Sequence, residues 1–278
     1  MIRPFDYFAP RSANEVTELL LAHPAVALLA GGTDLLVDLR AGATRPAAVI
    51  DLKRVDGLDE CRFERGGDAF VGACVTLDRI VAEPAAPEFL REAAASIGTH
   101  QVRNKATLVG NLCHASPAAD AAPPLLALGA SVRVRRADGS QARLPLDGFF
   151  AGVKKTALAP GEWVVGVELP SSPAPVRGRF RKRQRVRGHD LAVVNVAACA
   201  GSGVGTLRVA VGACAPTPLV FGLDDLLPAR GAWLDAAWAR VAAALRPISD
   251  NRGSAEYRMD MARLFVTTML AELGPAAG

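Results

Sequence analysis

Ile97 to Ala130 reads IGTHQVRNKATLVGNLCHASPAADAAPPLLALGA, and the reading of this stretch decides what the rest of the chain must be. By composition its middle, Thr107-Leu108-Val109-Gly110-Asn111, is a turn. It lies between a polar segment and an Ala/Pro-rich one that runs into Leu125, Leu126 and Leu128, a helical run. A turn that feeds a helix gathers backbone N–H groups and the positive end of a helix dipole on one spot, which suits a phosphate or diphosphate. Gly110 fits there because glycine reaches φ > 0 and lets a ligand approach without a Cβ in the way. Thr107 and Asn111 add side-chain hydrogen-bonding groups.

A similar turn occurs upstream. Ser12-Ala13-Asn14-Glu15 has the capping-box form and is followed by Val16, Leu19 and Leu20, so a helix is predicted from Ala13 to His23, stopping at Pro24. Val26 to Ala30 is a short apolar run that reads as a buried strand and ends in Gly31-Gly32-Thr33-Asp34, after which Leu35, Leu36 and Leu39 resume helical spacing. Two glycine turns at strand ends can grip a diphosphate from both sides with backbone amides, without a lysine or a metal.

Downstream, Val49–Leu52 and Ala69–Val75 read as strands, and Thr76–Val81 and Glu88–Ser96 as helices. Val132/Val134 and Ala142/Leu144 flank Asp138-Gly139, a hairpin signature, and Trp163–Leu169 is a further strand. Ser171-Ser172-Pro173-Ala174-Pro175 is a linker, which divides the chain into residues 1–170 and 176–278.

In the second part, arginine occupies every odd position from Arg177 to Arg187, with Phe180, Lys182, Gln184 and Val186 between. As a strand this presents an arginine ladder on one face and Lys182 on the other. The ladder is either a solvated charged face or a docking surface for an acidic partner; nucleic acid is not expected, because no aromatic interleaving accompanies it. Gly201-Ser202-Gly203-Val204-Gly205 precedes the alternating Leu207, Val209 and Val211, so it is a hairpin loop and not a dinucleotide fingerprint, which must open a helix. Gly231–Leu245 and Tyr257–Leu273 are helices, with polar SDNRGSAEYR between them.

The hydrophobic share of 50% and charged share of 22% are those of a globular protein, and the net charge of +4 is mild. No apolar run approaches the roughly 18 residues of a membrane span, and the N-terminus lacks a signal pattern, so a cytoplasmic location is expected. Cys61, Cys74, Cys113, Cys199 and Cys214 are scattered, and His23, His100, His114 and His189 show no ligand spacing; neither a disulfide framework nor a metal site is indicated.

Together these residues resemble the FAD-binding medium subunits of molybdenum hydroxylases, the family of the xanthine dehydrogenase and carbon monoxide dehydrogenase flavoproteins. The resemblance runs nearly end to end: AGGTDLL at Ala30–Leu36, QVRNKATLVGNLCHASPAAD at Gln101–Asp120 and FFAGVKKTAL at Phe149–Leu158. It continues through Phe180, Lys182, Asp190 and Ala192 to SDNRGSAEYR at Ser249–Arg258. It implies an α+β fold: a two-subdomain FAD-binding domain of the vanillyl-alcohol oxidase type, with subdomains of about 1–55 and 56–170, plus a small α+β C-terminal domain.

By the same resemblance Ala30, Gly31, Gly32, Thr33, Asp34 and Leu35 form the first diphosphate loop, and Thr107, Val109, Gly110 and Asn111 the second. Asp120 bonds the sugar-like part of the cofactor, Ile97 and Val165 pack on its rings, and Lys182 reaches the isoalloxazine edge, where a cation favours the reduced flavin. Val109 departs from the family pattern, which has glycine there. If the native backbone is glycine-like, a β-branched residue adds strain on the order of 1–3 kcal/mol, and Val109→Gly is expected to tighten FAD.

The resemblance further implies the electron-transfer subunit of a heterotrimer. Its partners are a molybdenum-cofactor large subunit, which hydroxylates substrate, and a small subunit with two 2Fe–2S clusters. FAD passes the electrons to a terminal acceptor, and the flavin rather than a side chain is the catalytic group. Two other readings stay open: a stand-alone flavoenzyme acting on a small molecule, and a flavin-free structural subunit.

Overall fold

Three-stranded, five-stranded and four-stranded sheets follow one another along the chain. The computed structural model describes residues 2–23, 25–64, 68–172, 176–186, 188–202, 205–227 and 232–274. Pro24, Pro173-Ala174-Pro175, Arg187, Gly203-Val204 and Gly231, which figure in the expected helix stop, linker, ladder, hairpin loop and helix start, lie outside these residues.

The first sheet is parallel. Ala48–Asp51, buried throughout, lies between Asp6–Phe8 and Val26–Leu29. The helix between the two outer strands, Ala13–Ala22, starts where its cap requires: Ser12 Oγ accepts the Glu15 N–H, and Glu15 in turn accepts the Arg11 N–H at 2.8 Å. The short helix Leu35–Ala41 follows Val26–Leu29 and ends at Gly42, in the left-handed conformation.

The second sheet is antiparallel, in the order Cys61–Phe63, Ala69–Gly72, Trp163–Leu169, Ser131–Arg135, Gln141–Pro145. Gly139, at φ +83°, makes the expected hairpin turn between the last-formed pair. Trp163, fully buried, donates its indole N–H to Thr17 Oγ1 at 3.2 Å and so ties the first helix to this sheet.

Between Gly72 and Ser131 the chain leaves the sheet for a group of short helices: Leu77–Ala82, Glu88–Ala95, His100–Arg103, Leu108–Cys113 and Ala122–Ala127. The opening stretch is therefore more helical than its composition predicts. Thr107 to Asn111 is not a free turn: Thr107 is the cap, and Leu108 to Asn111 are the first turn of a helix.

The third sheet is an antiparallel meander of Arg177–Arg183, Val194–Ser202, Gly205–Gly212 and Leu219–Gly222. Its two central strands are mostly apolar on both faces. Val194, Val196, Val209 and Val211 pack on the helices Trp233–Ala244 and Ala255–Leu273, while Ala197, Cys199 and Ala210 join the core that holds Phe89 and Leu125. One sheet thus closes two cores, and the architecture is α+β.

On the outer strand the ladder arginines are exposed but engaged within the chain. Arg179 and Arg181 pair with Glu272 at 3.0 and 3.3 Å, Arg183 donates to the Tyr257 hydroxyl at 2.7 Å, and Arg185 pairs with Asp190. The ladder seats the C-terminal helix, a use that neither expected reading named.

Candidate functional site

The first loop leaves the parallel sheet at Leu29 and turns at Gly32, whose φ is +75°. A Cβ on Gly31 would lie 2.0 Å from Lys105 O and 2.9 Å from Ala106 Cα, so the glycine lets this loop touch the backbone just ahead of Thr107. The two bends are neighbours in space although far apart in sequence. The N–H groups of Gly31, Gly32, Thr33 and Asp34 have no acceptor among the described residues; the first three residues are half-buried and Asp34, which precedes the helix, is exposed.

The second bend is built differently. Thr107, 4% exposed, accepts the Gly110 N–H on Oγ1 at 3.0 Å, and its carbonyl accepts the Asn111 N–H at 3.0 Å. Asn111 Oδ1 accepts the Ala121 N–H, so the side-chain NH2 is the donor that Asn111 has left to offer. Val109 is helical, is absent from the described residues with positive φ, and buries its side chain in the main core. The strain expected of a β-branched residue there is not present, because the position asks for an ordinary helical backbone.

Both bends open on one cleft of about 1200 Å³, above the roughly 300–1000 Å³ usual for small-ligand pockets. Ala30, Gly31, Gly32, Thr33, Asp34, Leu35, Ile97, Thr107, Val109, Gly110, Asn111, Asp120 and Lys182 all line it. Val165 does not. The pairing of its strand with Ser131–Arg135 shifts register between Val164 and Gly166, and this bulge puts Trp163 and Val164 on the cleft wall, while Val165 accepts the Ala73 N–H on its carbonyl.

Lys182 comes to the cleft from the third sheet, and its ammonium donates to Asp120 Oδ2 at 2.7 Å and to Ser96 O at 3.0 Å. The other carboxylate oxygen, Asp120 Oδ1, accepts from Asn195 Nδ2 at 2.7 Å. Burial pushes the Asp120 carboxyl above the usual carboxylate range, and Lys182 and Asn195 pull it back.

Also on the cleft lining, the Asp250 carboxylate pairs with Arg258 at 2.7 Å and Arg252 at 2.9 Å. Burial raises the Asp250 pKa, but hydrogen bonds from the Arg252 backbone and the Arg258 side chain outweigh it and leave the group below its usual value. Asp250, Arg252 and Arg258 belong to the SDNRGSAEYR block, to which sequence reasoning gave no role.

Backbone strain gathers here as well. The non-glycine residues with positive φ among those described are Ala115 (49°), Lys154 (54°) and Ala213 (61°). Lys154 and Ala213 line the cleft, and Ala115 lies between lining His114 and Ser116. Lys154 donates its N–H to Ala115 O at 2.9 Å, and Ala213 donates to Pro117 O at 2.7 Å, so the strained segments clamp one another around the loop that leads to Asp120. Nothing in an alanine announces this in sequence.

The residues present fit a dinucleotide flavin: unpartnered amides for a diphosphate, an apolar wall with Ile97 and Val164 for rings, and polar groups at Asp120 and Lys182. The chain is 34% identical to the nicotine 6-hydroxylase medium subunit of Paenarthrobacter nicotinovorans, over 96% of each chain. It is 27% identical to the xanthine dehydrogenase FAD-binding subunit of Escherichia coli O157:H7, over 98% of this chain and 97% of the other. Among solved structures it superposes on a chain of reconstituted CO dehydrogenase from Oligotropha carboxidovorans with a TM-score of 0.90, at 27% identity over 100% of both. Residues 179–273 match the CO dehydrogenase flavoprotein C-terminal domain. Residues 3–172 match the FAD binding domain in molybdopterin dehydrogenase, and the chain belongs to that family, as the FAD-dependent component of a dehydrogenase.

Proposed function

We propose that this chain is the electron-relaying subunit of a heterotrimeric molybdenum hydroxylase, passing electrons from the iron–sulfur clusters of a small subunit to a terminal acceptor. Substrate is hydroxylated in the large molybdenum-cofactor subunit. Residues 1–170 provide the flavin-binding part, and 176–278 bring Lys182 to it. The observation that carries the reading is the pair of bends facing one cleft, with amides on Gly31 to Asp34 that the described protein leaves without acceptors.

Gly31, Gly32, Thr33 and Asp34 hold one side of the diphosphate by backbone N–H groups, while the side-chain NH2 of Asn111, beside the capped turn at Thr107, holds the other. Ile97, with Val164 in the place expected of Val165, covers the rings and excludes water. Bound FAD supplies the redox chemistry; the chain supplies binding, electrostatics and access. Dispersed cysteines suit a subunit whose clusters reside in a partner. Burial raises the Cys74 and Cys214 thiols to about 11 and 12, which keeps them protonated at neutral pH.

The test is to purify the chain alone and with its partners. Yellow protein with one FAD per chain, reduced by substrate only when the other subunits are present, is the expected result. Reduction by substrate without partners would make it a stand-alone flavoenzyme, and a colourless chain that takes up no FAD would make it a structural subunit.

A further inference from the structure

The ion pair between Asp120 and Lys182 is set apart by burial. Both side chains are 6% exposed, whereas in every other ion pair among the described residues at least one side chain is 23% exposed or more. Four segments meet in it: Ser96 ends one helix, Asp120 precedes another, and Lys182 and Asn195 are cross-strand partners in the third sheet. Asn195 is fully buried and has Gly212 opposite, where a Cβ would lie 2.1 Å from Asn195 Oδ1. That missing side chain gives Asn195 the room it occupies beside Asp120.

The sequence alone presents Lys182 as an unopposed cation. In the fold its charge has a carboxylate 2.7 Å away, so the cleft wall carries a dipole and no net charge at this point. An ammonium has three N–H donors, of which Asp120 and Ser96 take two. The third has no acceptor among the described residues, so Lys182 is fixed in position with one donor left to offer.

We infer that Asp120 is a positioning residue: it holds Lys182 at the flavin and cancels its charge, so that the flavin's reduction potential is set by the pair and not by the lysine alone. The inference rests on the flavin reading above and adds a charge-balancing role for a residue otherwise expected to bind the cofactor's sugar-like part. Removing the carboxylate leaves an uncompensated cation, which favours the electron-rich reduced flavin. Removing the ammonium has a smaller effect, because burial and the loss of the counter-ion both favour the neutral form of the Asp120 carboxyl.

The experiment is a spectroelectrochemical titration of the full chain reconstituted with FAD, comparing the wild type with Asp120→Asn, Lys182→Gln and the double variant. Asp120→Asn should shift the oxidised/reduced equilibrium at least tenfold toward reduced flavin, about 30 mV positive for a two-electron couple. Lys182→Gln and the double variant should stay within tenfold of the wild type. An Asp120→Asn variant that binds FAD with an unmoved potential overturns the inference, as does a fall of more than tenfold in Lys182→Gln. If Asp120→Asn does not fold, the lysine variant decides the matter. A wild-type chain that stays colourless at saturating FAD removes the flavin reading itself; a yellow chain with the wrong potentials removes only this inference.

Discussion

The two bends that face the cleft do similar work by unlike means. Ala30 to Asp34 is an open loop with a positive φ at Gly32 and a run of amides bonded to nothing in the described protein. Thr107 to Asn111 is a capped helical turn whose Gly110 and Asn111 amides already have internal acceptors. The first loop leaves its donors without acceptors among the described residues, whereas the Gly110 and Asn111 amides of the second are satisfied within the fold. Changes in the first should therefore strike binding hardest, and changes in the second should register mainly as stability.

The sharpest way to break that contrast is Gly31→Val. Its side chain must displace the Lys105–Ala106 backbone, so the two bends part and FAD affinity should fall at least a hundredfold in a fluorescence titration, with overpacking adding about 1–3 kcal/mol of destabilisation. Affinity within threefold of the wild type would mean that the bends do not act together.

Val109→Gly comes next, and here the fold reverses the expectation from sequence. The substitution removes buried methyls and places glycine in a helix, so it should destabilise the chain by roughly 2–3 kcal/mol in chemical denaturation without tightening FAD. Tighter binding would restore the expectation drawn from sequence. Thr107→Ala removes the cap and should cost about 1 kcal/mol, largely recovered in Thr107→Ser; equal losses for both would assign the effect to packing of the methyl group. Glu272→Gln, remote from both bends, releases Arg179 and Arg181 at the surface and should change stability by about 1 kcal/mol or less, with FAD affinity unmoved in the same titration.

Local signals in the sequence were legible where they act locally. Ser12 starts its helix, Asp138-Gly139 turns its hairpin, and Trp163–Leu169 is a strand to the residue. Leu108–Cys113 escaped because Gly110 and Asn111 are poor helix formers, and the packing of Leu108, Val109 and Leu112 overrides them. Asp6–Phe8 and Cys61–Phe63, of three residues each, are too short to show a period. Val165 was exchanged for Val164 by a bulge that no alternation pattern contains. The Asp120–Lys182 pair and the clamps at Ala115 and Ala213 are tertiary, made by segments that meet only in the fold.

Amide hydrogen exchange with and without FAD reads the central claim at the atoms concerned. In the free chain the Gly31 to Asp34 amides should exchange rapidly and those of Gly110 and Asn111 slowly; saturating FAD should protect the first group at least tenfold and leave the second little changed. Protection confined to other segments, with Gly31 to Asp34 exchanging as fast as before, would contradict the account.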